Sequence, residues 1–211
     1  MTAQFQSLDP DIFYSNLENM ALISFSQKYP SHHYRKGDRT AFASQILNYF
    51  GVDFKALSYL EKLAELNAKK LDDGKITMQH LVDFQKSMDK HSFQHRKLHT
   101  ARSRNRWKAG DTFSPVVWTA QPYYSPQIIF WEPIVIKATE NMSFDKVVLD
   151  TWVEKKILQP KVKGIFAKND GFFSMSSVMD MENWFQKDVK KEPIFHGQII
   201  HWSDEVRYGS I

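Results

Sequence analysis

RKLHTARSRNRWKAGD, residues Arg96 to Asp111, is the stretch whose reading decides the fold. It packs six lysines and arginines, with His99, into sixteen residues and closes on a turn signal, Ala109-Gly110-Asp111. An apolar run from Phe113 to Trp118 follows directly. A basic loop that feeds a strand is suited to holding an anion such as a phosphate. Within the loop, Lys97, Thr100 and Arg102 form a K-x-x-T-x-R pattern.

Downstream of the turn the pattern is that of strands. Phe113, Val116, Val117 and Trp118 predict one strand. Ile128–Trp131 and Ile134–Ile136 predict a long one, interrupted by Pro133 and therefore bulged or on an edge. Val147–Leu149 and Ile157–Leu158 predict a further pair, and Ile194–Trp202 a final strand. Ser174–Phe185 has helical spacing, with Val178, Met181, Trp184 and Phe185 on its apolar stripe. Tyr123-Tyr124-Ser125-Pro126 is an aromatic loop. This content favours a small barrel over a doubly wound sheet.

Upstream, the period is helical from Thr40 to about Lys90. Phe42, Ile46, Leu47 and Phe50 form one stripe, stopped by Gly51. Asp53 is a candidate cap for a second helix running through Leu57, Leu60, Leu63 and Leu71 to Asp72-Asp73-Gly74. Thr77 is a candidate cap for a third, carrying Leu81, Val82, Phe84 and Met88. Before these come a short strand, Met20–Phe25, and a basic loop, His32–Asp38. Asp9-Pro10 starts a helix with Ile12, Phe13 and Leu17 on one face, after a loose polar tail over residues 1–8. The division expected is an N-terminal helix and first strand (1–29), a helical elaboration (30–92) and a barrel (93–211).

Composition sets outer limits. The chain has 211 residues, 42% hydrophobic and 14% aromatic, enough for a sizeable core. Its net charge of +4 suits a nucleic acid or nucleotide partner without requiring one. Without cysteine there is no disulfide, thiolate metal site or cysteine nucleophile. The sequence lacks a P-loop and a G-x-G-x-x-G fingerprint, which argues against nucleoside-triphosphate and dinucleotide enzymes. No apolar run reaches transmembrane length and the first residues lack a signal-peptide pattern, so the expectation is a soluble cytoplasmic protein with no membrane partner.

The K-x-x-T-x-R loop and its W-K-x-G-D turn resemble the signature of the ASCH superfamily, a branch of the PUA-like β-barrels. Ile23–Tyr29 is similar to the strand that opens that family's barrel, Ala167–Phe172 to the segment that brings an acid to its cleft, and Gly197–Trp202 to its closing strand. The resemblance covers roughly residues 95–205 plus the strand near 23. It implies an α+β protein: a PUA-like small β-barrel with a three-helix insertion after the first strand. The family is generally regarded as RNA-binding.

The resemblance also implies roles. In ASCH amidohydrolases that deacetylate acetylated cytidine, a Lys, a Thr and a Glu are assigned to catalysis. Lys97 and Thr100 match the first two, and Asp170 stands where the Glu is expected, with Asn169 beside it as the alternative. The chemistry is coherent: a threonine hydroxyl becomes a nucleophile when a base removes its proton, and a buried lysine can be that base. Arg102 and Arg106 are candidates to grip a phosphate or base edge. Trp107, Tyr123 and Tyr124 are candidates to stack a base, with Trp118 nearby.

A plainer reading stands beside this one. The arginines can be a solvated basic loop, Thr100 a strand threonine, and Trp107 a cover for the barrel end. His91, His95 and His99 are four apart, but a helix reaching His99 is not expected, so no metal and no cofactor are expected. Three functions remain open: binding of RNA or a modified nucleoside or nucleotide, hydrolysis of an acylated nucleoside with Thr100 as nucleophile and Lys97 as base, and protein interaction through residues 30–92.

Overall fold

A computed structural model describes residues 21–89, 95–187 and 189–209. The helix expected from Asp9 lies outside the described residues, as does His91. In chain order the elements are β1 (Ala21–Ser24), α1 (Phe42–Tyr49), α2 (Leu57–Leu66), α3 (Ala68–Asp72), α4 (Met78–Asp89), β2 (His99–Ser103), β3 (Thr112–Trp118) and β4 (Gln127–Ile129). There follow β5 (Ile134–Val135), β6 (Ala138–Asp145), β7 (Thr151–Val153), β8 (Lys156–Ile157), α5 (Pro160–Asn169), α6 (Ser177–Phe185) and β9 (Ile194–His201).

The protein is therefore α+β, with its strands in two sheets. In the first, β3 lies between β1 and the broken strand formed by β4 and β5. In the second the order is β2-β9-β6-β7-β8. Neither sheet closes on itself, so among the described residues the expected barrel is not formed as one closed sheet. β1 runs parallel to β3, with Ala21 opposite Phe113 and Ser24 opposite Val116. A parallel pair needs a long crossover. That crossover carries α1 to α4 and β2, which is why the helices fall between the first strand and the rest of its sheet.

One apolar core joins the helices to both sheets. Ile46 and Leu47 of α1, Leu63 of α2 and Phe84 of α4 are buried in one cluster with Phe113, Phe130, Phe144 and Ile200. Polar bonds reinforce the contact. The Tyr59 hydroxyl donates to the Phe130 carbonyl at 2.7 Å. The Asn67 carboxamide donates to the Ile129 carbonyl at 2.8 Å and accepts from the Ile129 amide at 2.9 Å. Asn67 thus serves the open edge of β4 as a paired strand would.

Several expectations are corrected. The second helix does not run unbroken to Asp72, because Asn67 leaves helical geometry to reach β4 and separates α2 from α3. Asp53 does not cap it: its carboxylate accepts from the Lys55 amide in the preceding turn, and Ala56 is the residue at the cap. Val147–Leu149 is a turn rather than a strand. Asp145 accepts from the amides of Val147 and Val148 at 2.8 and 3.1 Å, and both valines are exposed. An aspartate that bonds the backbone two and three residues on offers the chain a turn in place of a ladder. The long strand β6, paired on both sides, and helix α5 were not expected. Pro133 does break the strand before it, leaving β4 and β5 as two short pieces on β3.

Candidate functional site

Lys97 precedes β2 in an extended segment fixed at both neighbours. Its amide donates to the Gln45 carbonyl of α1, and the Leu98 amide donates to the Asn169 carbonyl at 2.9 Å. These bonds draw the end of α5 against the start of β2. Asp170, at the C-terminal end of α5, is carried to the same place. Lys97 Nζ donates to Asp170 Oδ1 at 2.6 Å and also to the Asp170 carbonyl oxygen. Both side chains are almost wholly buried.

Thr100 and Arg102 line the same small space as Lys97 and Asp170, walled by Phe25, Phe42, Phe172 and Trp184. The Phe42 ring sits edge-on to Phe172 and Trp184, and Lys97 Nζ lies 4.6 Å from its centroid. The cavity is about 20 Å3, enough for one water and far too small for a nucleobase. Arg102 is anchored, with Nη2 donating to the Ser24 carbonyl at 2.7 Å and its guanidinium over the Phe25 ring.

Burial governs the charges. It pushes Lys97 down to about 8, against the pull of Asp170. It pushes Asp170 up, against Lys97, Arg102 and the Ala101 amide. It lowers Arg102 to about 10, which leaves the guanidinium charged at neutral pH. Desolvation thus weakens both members of the pair, and their contact is what keeps them in the core.

Behind Asp170 lies a buried polar group that the sequence did not disclose. His99, on β2, bonds the Tyr208 hydroxyl at 2.8 Å, and its Nδ1 stands 3.7 Å from Asp170 Oδ1. Asn169 donates to the same hydroxyl at 3.0 Å. Of the two alternatives, Asp170 therefore faces the cavity and Asn169 faces Tyr208. His201, opposite His99 across β2 and β9, bonds Glu140 at 2.8 Å, and Glu140 also accepts from the amides of Tyr208 and Gly209. Burial disfavours the Glu140 carboxylate, but His201 and the two amides outweigh it and hold its pKa below the usual value. Burial drives His99 well below the ordinary imidazole value, and His201 and Lys97 add to the effect.

No family model, curated protein or solved structure matches this chain.

The remaining candidates divide. Trp107 is in the core: its ring packs on Phe113, and its amide and carbonyl are bonded to the Gln198 carboxamide. It offers no free face for stacking a base. Arg106 is exposed and lies over the Trp107 ring. Tyr123 and Tyr124 are among the most exposed aromatics, at 85% and 84%, with Tyr123 against Trp118. Among the described residues no group of three metal-ligand side chains converges. His33 is buried and bonds the Asp180 carbonyl. No described helix is long and apolar enough to cross a membrane.

Phe42 and Gln45 were missed because a helix face rich in apolar residues gives no sign of the cavity it will border. Glu140 and His201 were missed as a pair because they lie 61 residues apart, on two strands that meet only in the fold. Alternation along β6, with Glu140, Met142 and Phe144 all buried, was the available signal.

Proposed function

We propose that the chain is a PUA-like protein of the ASCH type that binds RNA or a modified nucleoside at the cavity of Lys97, Thr100, Arg102 and Asp170. The observation that carries this reading is the 2.6 Å contact of Lys97 with Asp170, residues 73 apart in sequence, beside Thr100 and Arg102. Three of the four segments that bear the resemblance, Ile23–Tyr29, the Lys97–Arg102 stretch and Ala167–Phe172, contribute residues to the cavity lining. The cavity admits a small group rather than a base, so the ligand lies across its mouth and presents one polar group inward. Exposed Tyr123 and Tyr124 are the rings available to stack a base.

Fluorescence titration with single-stranded RNA and with nucleosides tests the proposal. RNA binding weakens steeply as salt rises, since phosphate contacts release counterions. Arg102→Ala lowers affinity about tenfold, the cost of a bidentate contact. Absence of binding to either ligand at low salt rejects it.

A second reading, deacylation of a modified nucleoside, is favoured by one observation: Lys97 is lowered to about 8 beside a threonine. A lysine at that value loses its proton near neutral pH and can serve as the base for Thr100. Turnover of acetylated cytidine then rises with pH through about 8 and vanishes in Thr100→Ala and Lys97→Met. A wild-type protein with no turnover ends the enzymatic reading and leaves the binding one intact.

A further inference from the structure

The residue after Asp170 and the first turns of α1 also border a second cleft, of about 240 Å3. Arg35, Asp38, Arg39, Gln45, Gly171 and Phe173 are among its lining residues, and the Asp38 carboxylate is taken up by Arg35 at 3.3 Å. Two features set it apart from ordinary surface.

The first is an unpaired amide. Gln45 is fully buried, yet neither Nε2 nor Oε1 has a hydrogen-bond partner among the described residues. A carboxamide that gives up water without a replacement is costly to keep. Oε1 lies 2.5 Å from the point where a Cβ at residue 171 would stand. Gly171, at φ +92°, is the residue type that leaves this approach open. The second feature is a spare cation. Arg35 is committed, donating to the Tyr29 hydroxyl at 3.2 Å, to Asp38 at 3.3 Å and to Asp180 at 3.0 Å. Arg39 makes no ion pair among the described residues.

We propose that this cleft binds a small organic anion whose body carries a planar amide edge. Arg39 takes the phosphate or carboxylate, and its fork suits either. Gln45 takes the edge, because a carboxamide presents one acceptor and one donor side by side. Phe173, half-exposed, supplies an apolar wall for a flat ring. The proposal stands apart from the reading of the Lys97 cavity, since the two sites share no lining residue.

Calorimetric titration of the full chain with uridine 5′-monophosphate, orotate and uridine tests it. All three carry the uracil edge; the first adds a phosphate ester, the second a carboxylate, and the third no charge. At least one anion binds about tenfold more tightly than uridine, and which one does so identifies the acidic group. Arg39→Ala erases that preference. Gln45→Met, close in shape, weakens the bound anion by about tenfold while leaving the melting temperature unchanged or higher, since it removes an unpaired buried amide. Should Gln45→Met fail to fold, Arg39→Ala, at an exposed position, still decides. The proposal is overturned if no probe binds at millimolar concentration, if Arg39→Ala keeps the preference, or if a folded Gln45→Met binds as the wild type does.

Discussion

At Lys97 and Asp170 two charges sit in the core, and each has its charged form weakened by burial. A pair of this kind is held by mutual contact, so removing one partner leaves an uncompensated charge. Asp170→Ala is expected to cost about 3–5 kcal/mol in urea unfolding. The double change Lys97→Met with Asp170→Leu removes both charges and should return to within about 1–2 kcal/mol of the wild type. A double variant as unstable as the single one contradicts the account. His99 gives a pH dependence of definite sign. Its folded pKa is depressed by burial, so the unfolded chain binds the proton first, near pH 6.5. Stability is therefore full above about pH 6.5 and falls as the pH drops below it, by about 1.4 kcal/mol per pH unit for a histidine kept neutral. Urea midpoints at pH 7.5 and 5.5 measure the loss, and His99→Phe should flatten it. At this scale the sequence named Lys97, Thr100, Arg102 and Asp170 through a resemblance, while the polar group behind them stayed hidden because its members meet only across strands.

Among the elements, β2 and β9 do most to place the candidate residues, since their pairing sets Thr100 opposite Ile200 and Arg102 opposite Gln198. Gly197 makes the close approach possible: a Cβ there would stand 2.1 Å from the Arg102 carbonyl oxygen. Gly197→Ala should therefore push the strands apart and cost about 2–3 kcal/mol, with a matching loss of ligand affinity because Arg102 moves with its strand. Asn67→Ala should cost about 2 kcal/mol, since it strips both bonds from the edge of β4 and leaves the Ile129 amide and carbonyl unpaired. Unfolding midpoints read both effects. Helices α1 and α4 were legible because each carries an apolar stripe with a period of its own. β6 was not, because its residues Ala138–Asp145 are mostly polar and one of its buried positions is a glutamate held by His201. Local composition cannot announce a strand whose buried carboxylate is paid for by a distant histidine.

For the whole molecule, the helices between β1 and β3 share their core with both sheets. They are expected to melt with the sheets in one transition by circular dichroism and by tryptophan fluorescence. Deleting residues 42–89 should leave Phe113 and Phe130 uncovered and give a chain without a cooperative melt, whereas two separate transitions would show the helices to be an independent unit. The sequence by itself determined the α+β class, the helical run after the first strand and the strand-rich second half, whereas the basic stretch read as a loop holds strand β2. The three it determined are properties of period and turn chemistry, which act over a few residues at a time. Only the tertiary structure decided that the strands form two open sheets, that Asp170 rather than Asn169 meets Lys97, that Trp107 is core, and that Gln45 lies unpaired beneath a cleft. Each of those depends on which distant segments exclude water together, and that is a property of the packed chain.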